Sequence, residues 1–386
     1  MKKLLLIGSI AIDRIMVFDG LFEDLIQPDK LHVLSVVPLV DKMRETRGGT
    51  AANIAYSLAL LGEEAILYAS AGRNAKTHLR RLKKIGINTT YVRYSRLATA
   101  SFTVLTDKND CQVGGFYPGA MSDADNLTIE RFFKNWVKET QKSRENKTKH
   151  SAEFGVAVKD KGTEHFSDEK LLDIGLASSR KSSQLKSDFL VVLSPHDPQS
   201  MLKQVKECQS LNLPLFFDPG QQVLMFSGDD LKIAIKAADF LVANDYEMGM
   251  ISKKTGWSLE KIARQLKIMI VTLGGKGSEV YENRQVKKSG DKTAKKKSSQ
   301  GRIKKIIVPA VKLEQTVDPT GAGDAYRAGF LYGYIRDWHL RDCARLGSVV
   351  SSFVLEKHGT QEHSFTKKAV AKRFKDSYGV SCRLMF

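Results

Sequence analysis

Short apolar runs bounded by turn residues alternate with helical patterns along this chain, and that alternation restricts the fold more than composition does. The runs are Leu4–Ile10, Ala65–Ser70, Phe189–Leu193, Leu215–Asp218, Phe240–Val242 and Ile268–Leu273. Between them, Thr77–Ile85 (stopped by Gly86), Gln199–Leu211 and Ser258–Leu266 read as helices. Such repetition predicts a doubly wound, mostly parallel α/β sheet with helices on both faces. Ser101–Thr106 and Gln112–Phe116, joined through Lys108-Asn109-Asp110, predict a hairpin. Ligands of open α/β sheets lie beyond the carboxyl ends of the strands, so the residues following each run carry the functional reading.

Val317-Asp318-Pro319-Thr320-Gly321-Ala322-Gly323-Asp324-Ala325-Tyr326 follows the apolar segment Ile306–Val311 and precedes a helical pattern. Gly321, Ala322 and Gly323 would bare their N–H groups at a helix N-terminus, which favours an anion. Asp324 falls in the same first turn, beside that anion hole. Donors for phosphate oxygens next to a carboxylate base are what phosphoryl transfer to an alcohol requires. On these residues alone, an ordinary first-turn acid and plain turn glycines are the favoured reading.

Four further segments follow the same logic. Gly8-Ser9-Ile10-Ala11-Ile12-Asp13 ends an apolar strand with a carboxylate. Gly48-Gly49 precedes a helix from about Ala51 to Leu61 that stops at Gly62, with Asn53 in its first turn, free to donate to and accept from a polyol. A helix cap is the plainer reading of Asn53. Asn244-Asp245-Tyr246-Glu247 follows a strand and pairs an amide with a carboxylate, suited to a hard cation that keeps its waters. Thr272-Leu273-Gly274-Gly275-Lys276-Gly277 turns out of the next strand. The chain contains neither a P-loop nor a dinucleotide fingerprint.

In this order, these segments resemble the signatures of the ribokinase-like (PfkB) carbohydrate and nucleoside kinases. Asp318 to Tyr326 resembles the family's D-T-x-G-A-G-D-x-F, with Pro319 in place of Thr and Tyr326 in place of Phe. Asp13-x-Ile15-Met16-Val17-Phe18, Tyr117-Pro118-Gly119-Ala120-Met121 and the tail Glu356-Lys357-His358-Gly359-Thr360-Gln361-Glu362-His363 are similar to the adenosine kinase-like members of prokaryotes. Tyr117 stands where those members carry His.

The resemblance implies a single domain, 1–386, with a three-layer α/β/α fold. A small β lid is expected from about 13–45 and 98–118, with residues near Ile15–Val37 joining the hairpin. It implies transfer of the γ-phosphate of ATP to the primary hydroxyl of a nucleoside, adenosine first. Asp324 would be the base and Gly321 to Asp324 the anion hole. Asp13, Gly48, Gly49 and Asn53 would hold the acceptor. Asn244, Thr272, Gly274, Gly277, Gly321 and Gly323 would bind ATP, and Glu247 with Asn244 would hold Mg²⁺ through water. Asp318 and Gly359 lie where many family members bind a monovalent cation such as K⁺, with His358 and His363 as surface residues or neighbours of that site. A sugar kinase and a non-catalytic binding protein on the same fold remain open. An aromatic slot facing Asp13, with Phe18 or Phe116 as candidates, would separate nucleoside from free sugar.

Composition agrees. The 42% apolar content suits a globular protein, and four dispersed cysteines with no C-x-x-C suit a reducing cytosol. Met1-Lys2-Lys3 and the apolar run after it resemble a signal peptide, but Asp13-Arg14 without a small-residue cleavage site favours a buried strand. A cytoplasmic protein without a membrane partner is expected, as a monomer or homodimer. The net charge is +18, and ten Lys/Arg against one Asp between Arg284 and Lys305 carry half of it. That stretch and the polar 138–187 are expected to be insertions. Without stacking aromatics in the lysine run, a solvated loop is favoured over a nucleic-acid site.

Overall fold

The computed structural model describes residues 1–26, 28–33, 35–109, 111–140, 188–284 and 302–384. Its strands, in chain order, are β1 (Lys3–Ile7), β2 (Ala11–Val17), β3 (Lys42–Gly48), β4 (Ala65–Tyr68), β5 (Ser70–Gly72), β6 (Arg93–Ser95), β7 (Ala100–Thr106), β8 (Gln112–Tyr117), β9 (Phe189–Leu193), β10 (Leu215–Phe217), β11 (Phe240–Asn244), β12 (Ile268–Thr272), β13 (Ser278–Arg284) and β14 (Arg302–Val308). Eight form the main sheet, in the order β14-β13-β12-β11-β10-β9-β1-β4. The six from β12 to β4 run parallel, and β13 and β14 add an antiparallel edge.

Strict alternation within each strand builds two cores. Leu4 and Leu6 pack with the helices Thr50–Leu60, Ala322–Tyr334, Leu340–Leu355 and Lys367–Tyr378 on one face. Leu5 and Ile7 pack on the other with Pro198–Ser210, Gly228–Ala237, Asp245–Thr255 and Leu259–Gln265. This is the doubly wound α/β/α arrangement expected from the sequence.

A second, four-stranded sheet has the order β3-β2-β7-β8. Two expectations are corrected here. Leu4–Ile10 is not one strand: β1 stops at Ile7, and the chain passes to the small sheet at Ala11. The chain bends at Gly8, where a Cβ would run into the Ser194 side chain. Asp13 is therefore the third residue of β2 rather than the end of the first strand. Among the described residues of 15–37 only Ile15–Val17 join the small sheet, as the end of β2; its remaining strand is β3, the segment leading into the di-glycine. β3 pairs antiparallel with β2 from Ala11↔Gly48 to Val17↔Lys42, while residues between them form short helical turns at Phe22–Leu25 and Pro28–Val33.

Of the two polar stretches, 141–187 and 285–301 lie outside the described residues. The described flanks carry regular structure: 138–140 finish a helix over 129–140, and Arg302–Lys305 belong to β14. Of the basic residues there, Lys305 finds partners across the strand. Lys305 Nζ lies 2.7 Å from Glu279 and sits over the Tyr281 ring. Among the described residues no helix is long and apolar enough to cross a membrane.

Candidate active site

Gly321 caps the helix Ala322–Tyr334 in the left-handed region, at φ 82°, which a Cβ would strain. Helix geometry leaves the N–H groups of Gly323 and Asp324 without intrahelical acceptors. Ala322 departs from expectation, because its N–H is spent on the Pro319 carbonyl in the preceding turn (3.2 Å). Burial pushes the Asp324 carboxyl up to about 7, against the pull of Arg327 and of a hydrogen bond from Asn53. A group titrating there takes up and releases a proton readily near neutral pH.

Asn53, in the first turn of Thr50–Leu60, ties this turn to the rest of the site. Its Nδ2 donates to Asp324 Oδ2 (2.8 Å). Its Oδ1 is occupied from behind by Gln361 Nε2 (2.8 Å) and Thr360 Oγ1 (2.9 Å). Asn53 can therefore donate to a ligand but has little left with which to accept, contrary to the sequence expectation. Ahead of it, Gly49 adopts φ 95°, and a Cβ would lie 2.6 Å from the Ala11 backbone N. The di-glycine thus lets the helix start press directly on the β1–β2 crossing.

Asp13 points to the same region. Gly48 lies against its carboxylate, with no room for a Cβ. Burial, and secondarily Asp318, push its pKa up to about 6. Strand register places Thr46, Asp13, Phe102 and Phe116 in one row across the small sheet, on one face. Phe102 and Phe116 are 38% and 50% exposed, so this face offers two open rings beside a carboxylate. Phe116 was anticipated from the sequence and Phe102 was not, although the hairpin pattern places it two positions from Val104 on the same face. Phe18 stacks on Phe22 at the far end of β2 instead.

Glu247, whose charge is felt by Asp324, closes a capping box with Asn244. Asn244 Oδ1 accepts from the Glu247 N–H (2.7 Å), and Glu247 Oε2 from the Asn244 N–H (2.9 Å). Glu247 keeps one carboxylate oxygen for other work, and burial raises its pKa. Thr272 ends β12, and the Gly274–Lys276 turn closes through the Leu273 N–H on Gly277 O (2.8 Å). Gly359 and Asp318 meet: the Gly359 N–H donates to Asp318 Oδ2 (2.9 Å), and the Thr320 N–H to Oδ1 (2.8 Å). Burial opposes the Asp318 charge, yet these N–H donors hold its carboxyl below the ordinary value. His358 is exposed. His363 is not a surface residue but a core one, 1% exposed, 3.2 Å from Ser57 Oγ and edge-on to Tyr56.

Sequence reading missed Asp218 and Arg327. Asp218 follows β10 and is fully buried; Arg327 Nη2 and Nε lie 2.7 and 2.5 Å from its two oxygens. Burial works against the guanidinium charge, but Asp218, Asp324 and Glu247 outweigh it and raise the Arg327 pKa. One cation thus serves three carboxylates under the glycine turn, and an ideal Cβ on Gly323 would come within 2.8 Å of Arg327 Nη1. An acid just past a buried strand and an Arg three residues after Asp324 were the available signals.

Known proteins resemble this chain over its whole length. The nucleoside kinase of Methanocaldococcus jannaschii is 26% identical over 376 residues, covering 97% of each chain. That of Methanothermobacter thermautotrophicus is 25% identical over 371 residues, covering 95% of this chain and 97% of the relative. The Burkholderia thailandensis nucleoside kinase in complex with inosine superposes with a TM-score of 0.70 at 27% identity, covering 98% of this chain and 99% of that one. Residues 1–144 and 148–368 match the profile of the pfkB family carbohydrate kinases. With the ribokinase-like fold and the glycine turn in place, this chain belongs to the pfkB carbohydrate kinase family.

Proposed function

We propose that this kinase transfers the γ-phosphate of ATP to the primary 5′-hydroxyl of a nucleoside, with adenosine the first acceptor to test. The observation that carries the reading is Asp324 in the first turn after the glycines, with Asn53 Nδ2 donating to its Oδ2 and burial pushing its carboxyl up to about 7. Asp324 takes the hydroxyl proton as the acceptor oxygen bonds to the γ-phosphorus. The bond to the β,γ-bridging oxygen breaks, and ADP leaves. The N–H groups of Gly321, Gly323 and Asp324 face the charge that develops on the phosphoryl oxygens. Asp13 accepts from the ribose hydroxyls, beside Gly48 and Gly49, and Asn53 donates to them. The small sheet acts as a lid over this site, excluding water that would otherwise hydrolyse ATP.

Thr272, Gly274 and Gly277 line the nucleotide side, with Asn244 at the head of its helix. Among the described residues no three acidic, His or Cys groups converge closely enough to hold a metal directly. Glu247, with one free oxygen, and Asn244 fit a Mg²⁺ held through its waters; bound, Mg²⁺ would neutralise phosphate charge. Asp318 and Gly359 are proposed to border a K⁺ site.

Nucleoside is favoured over free sugar by Phe102 and Phe116, which share a face and a row with Asp13 and offer a base two rings. The full-length relatives named nucleoside kinases support the same choice. ADP release with Mg·ATP should be measured against adenosine, inosine, cytidine, ribose and fructose, with and without K⁺. Turnover of ribose or fructose exceeding that of every nucleoside would refute the proposal.

A further inference from the structure

The hydrogen bonds behind Asp324 continue for three more side chains. His78, on the helix Lys76–Lys84, places Nε2 2.9 Å from Gln361 Oε1. Gln361 Nε2 lies 2.8 Å from Asn53 Oδ1, and Asn53 Nδ2 lies 2.8 Å from Asp324 Oδ2. His78, Gln361 and Asn53 are all buried. The ends of the chain fix its direction. An ionised Asp324 only accepts, so Asn53 must turn its NH2 towards it. Asn53 Oδ1 then needs a donor, which Gln361 supplies with its own NH2. Gln361 Oε1 in turn needs a donor, which assigns the imidazole proton to His78 Nε2.

The surroundings of His78 agree with that tautomer. Burial first, helped by Arg47 and Arg81, lowers its pKa to about 4 against the bond to Gln361 and the charge of Glu362. A neutral ring with its proton on Nε2 leaves Nδ1 a bare acceptor, and His78 Nδ1 is buried with no hydrogen-bond partner among the described residues. An orphaned acceptor is better tolerated than an orphaned donor.

We propose that His78 and Gln361 are positioning residues for phosphoryl transfer: they lock the Asn53 amide so that its NH2 holds Asp324 Oδ2 and leaves Oδ1 for the acceptor hydroxyl. The inference rests on the reading of Asp324 as the base. It explains why a histidine and a glutamine that touch no substrate are buried in line behind that carboxylate. Thr360 Oγ1, with a single proton, lies 2.9 Å from Asn53 Oδ1 and 2.7 Å from the Arg47 carbonyl, so it cannot replace Gln361 without giving up the latter.

The direction of the chain makes the test specific. Gln361→Glu preserves shape but offers only acceptors, so Asn53 must turn its NH2 away from Asp324 and face it with an oxygen. Gln361→Met removes the anchor without reversing the amide. Wild type, both variants and Asp324→Asn are compared for kcat, KM and the pH profile of kcat with Mg·ATP and adenosine, and for ADP affinity. Besides Asn53, the charged groups facing Asp324 are Arg327, Asp218 and Glu247, none of which these substitutions touch. Gln361→Glu should lower kcat at least tenfold and move its acid limb upward by about one pH unit, with KM and ADP affinity within twofold of wild type; one pH unit corresponds to about 1.4 kcal/mol. Gln361→Met should lie between. Wild-type kcat and acid limb in Gln361→Glu, with Asp324→Asn inactive, would overturn the positioning role alone. So would a kcat loss matched by lost ADP affinity with no movement of the limb. Near-normal turnover in Asp324→Asn would instead remove the base assignment.

Discussion

Removing either partner of the buried Arg327–Asp218 pair should move the acid limb of kcat in opposite directions. Arg327 pulls the Asp324 carboxyl down from the high value that burial imposes, and Asp218 pushes it up. Arg327→Met deletes the one cation that, among the described residues, acts on Asp218, Glu247 and Asp324 together. The limb should then rise from about 7. A rise of roughly one unit would cut the ionised fraction at pH 7 from about a half to about a tenth, a fivefold loss that disappears near pH 9. Asp218→Asn leaves the guanidinium with fewer carboxylates to serve, so the limb should fall. Both should destabilise, Arg327→Met by about 3–5 kcal/mol, because each strands a buried charge. Replacing both together, Arg327→Met with Asp218→Asn, should cost less than the sum of the two single changes. The assays are kcat against pH at saturating Mg·ATP and adenosine, and urea unfolding midpoints. Limbs that move in the same direction, or not at all, would refute the claim that these charges set the Asp324 proton affinity.

Three further outcomes follow from the same geometry. In wild type, kcat should fall about tenfold per pH unit below 7, because Asp324 titrates near that value; a limb near pH 4 would contradict it. Asp324→Asn should lower kcat by several orders of magnitude yet raise stability at pH 8. A carboxyl whose folded pKa is raised from 3.8 to about 7 costs stability increasingly as pH climbs between those values, by up to about 4 kcal/mol, and the gain on substitution should vanish near pH 4 in urea titrations. Phe102→Ala should raise KM for adenosine roughly two- to twelvefold, as loss of one stacking ring worth about 0.5–1.5 kcal/mol implies, and leave any ribose turnover unchanged; equal effects on both would remove the nucleobase from this face.

Legibility in the sequence followed the range of the interactions. Main-sheet strands and their helices were readable because apolar periodicity is local: Phe189–Leu193 and the helix after Asp197 fall where the pattern puts them. The small sheet was half readable. The β7–β8 hairpin carries its own turn, whereas β3 finds its partner only through the register with β2 set across the di-glycine. The polar, charged sequence of β3 shows no apolar alternation: Lys42 to Glu45 are exposed, and Arg47 pairs with Glu362.

Within the site, the same distinction separates what was found from what was missed. The glycine turn, Asp13 and Asn53 each sit in a short motif whose chemistry is visible in isolation. Asp218 and Arg327 are 109 positions apart, and Asn53 and Gln361 are 308 apart. Neither residue of such a pair signals anything until the sheet brings it to its partner. Tyr326 shows how one substitution is absorbed at that distance. Where the family signature has Phe, its buried hydroxyl donates to Ser278 Oγ at 2.8 Å, at the start of β13. A buried hydroxyl without that serine would cost about 1–3 kcal/mol, so the exchange of Phe for Tyr is tolerated in this turn only because a residue 48 positions earlier accepts it.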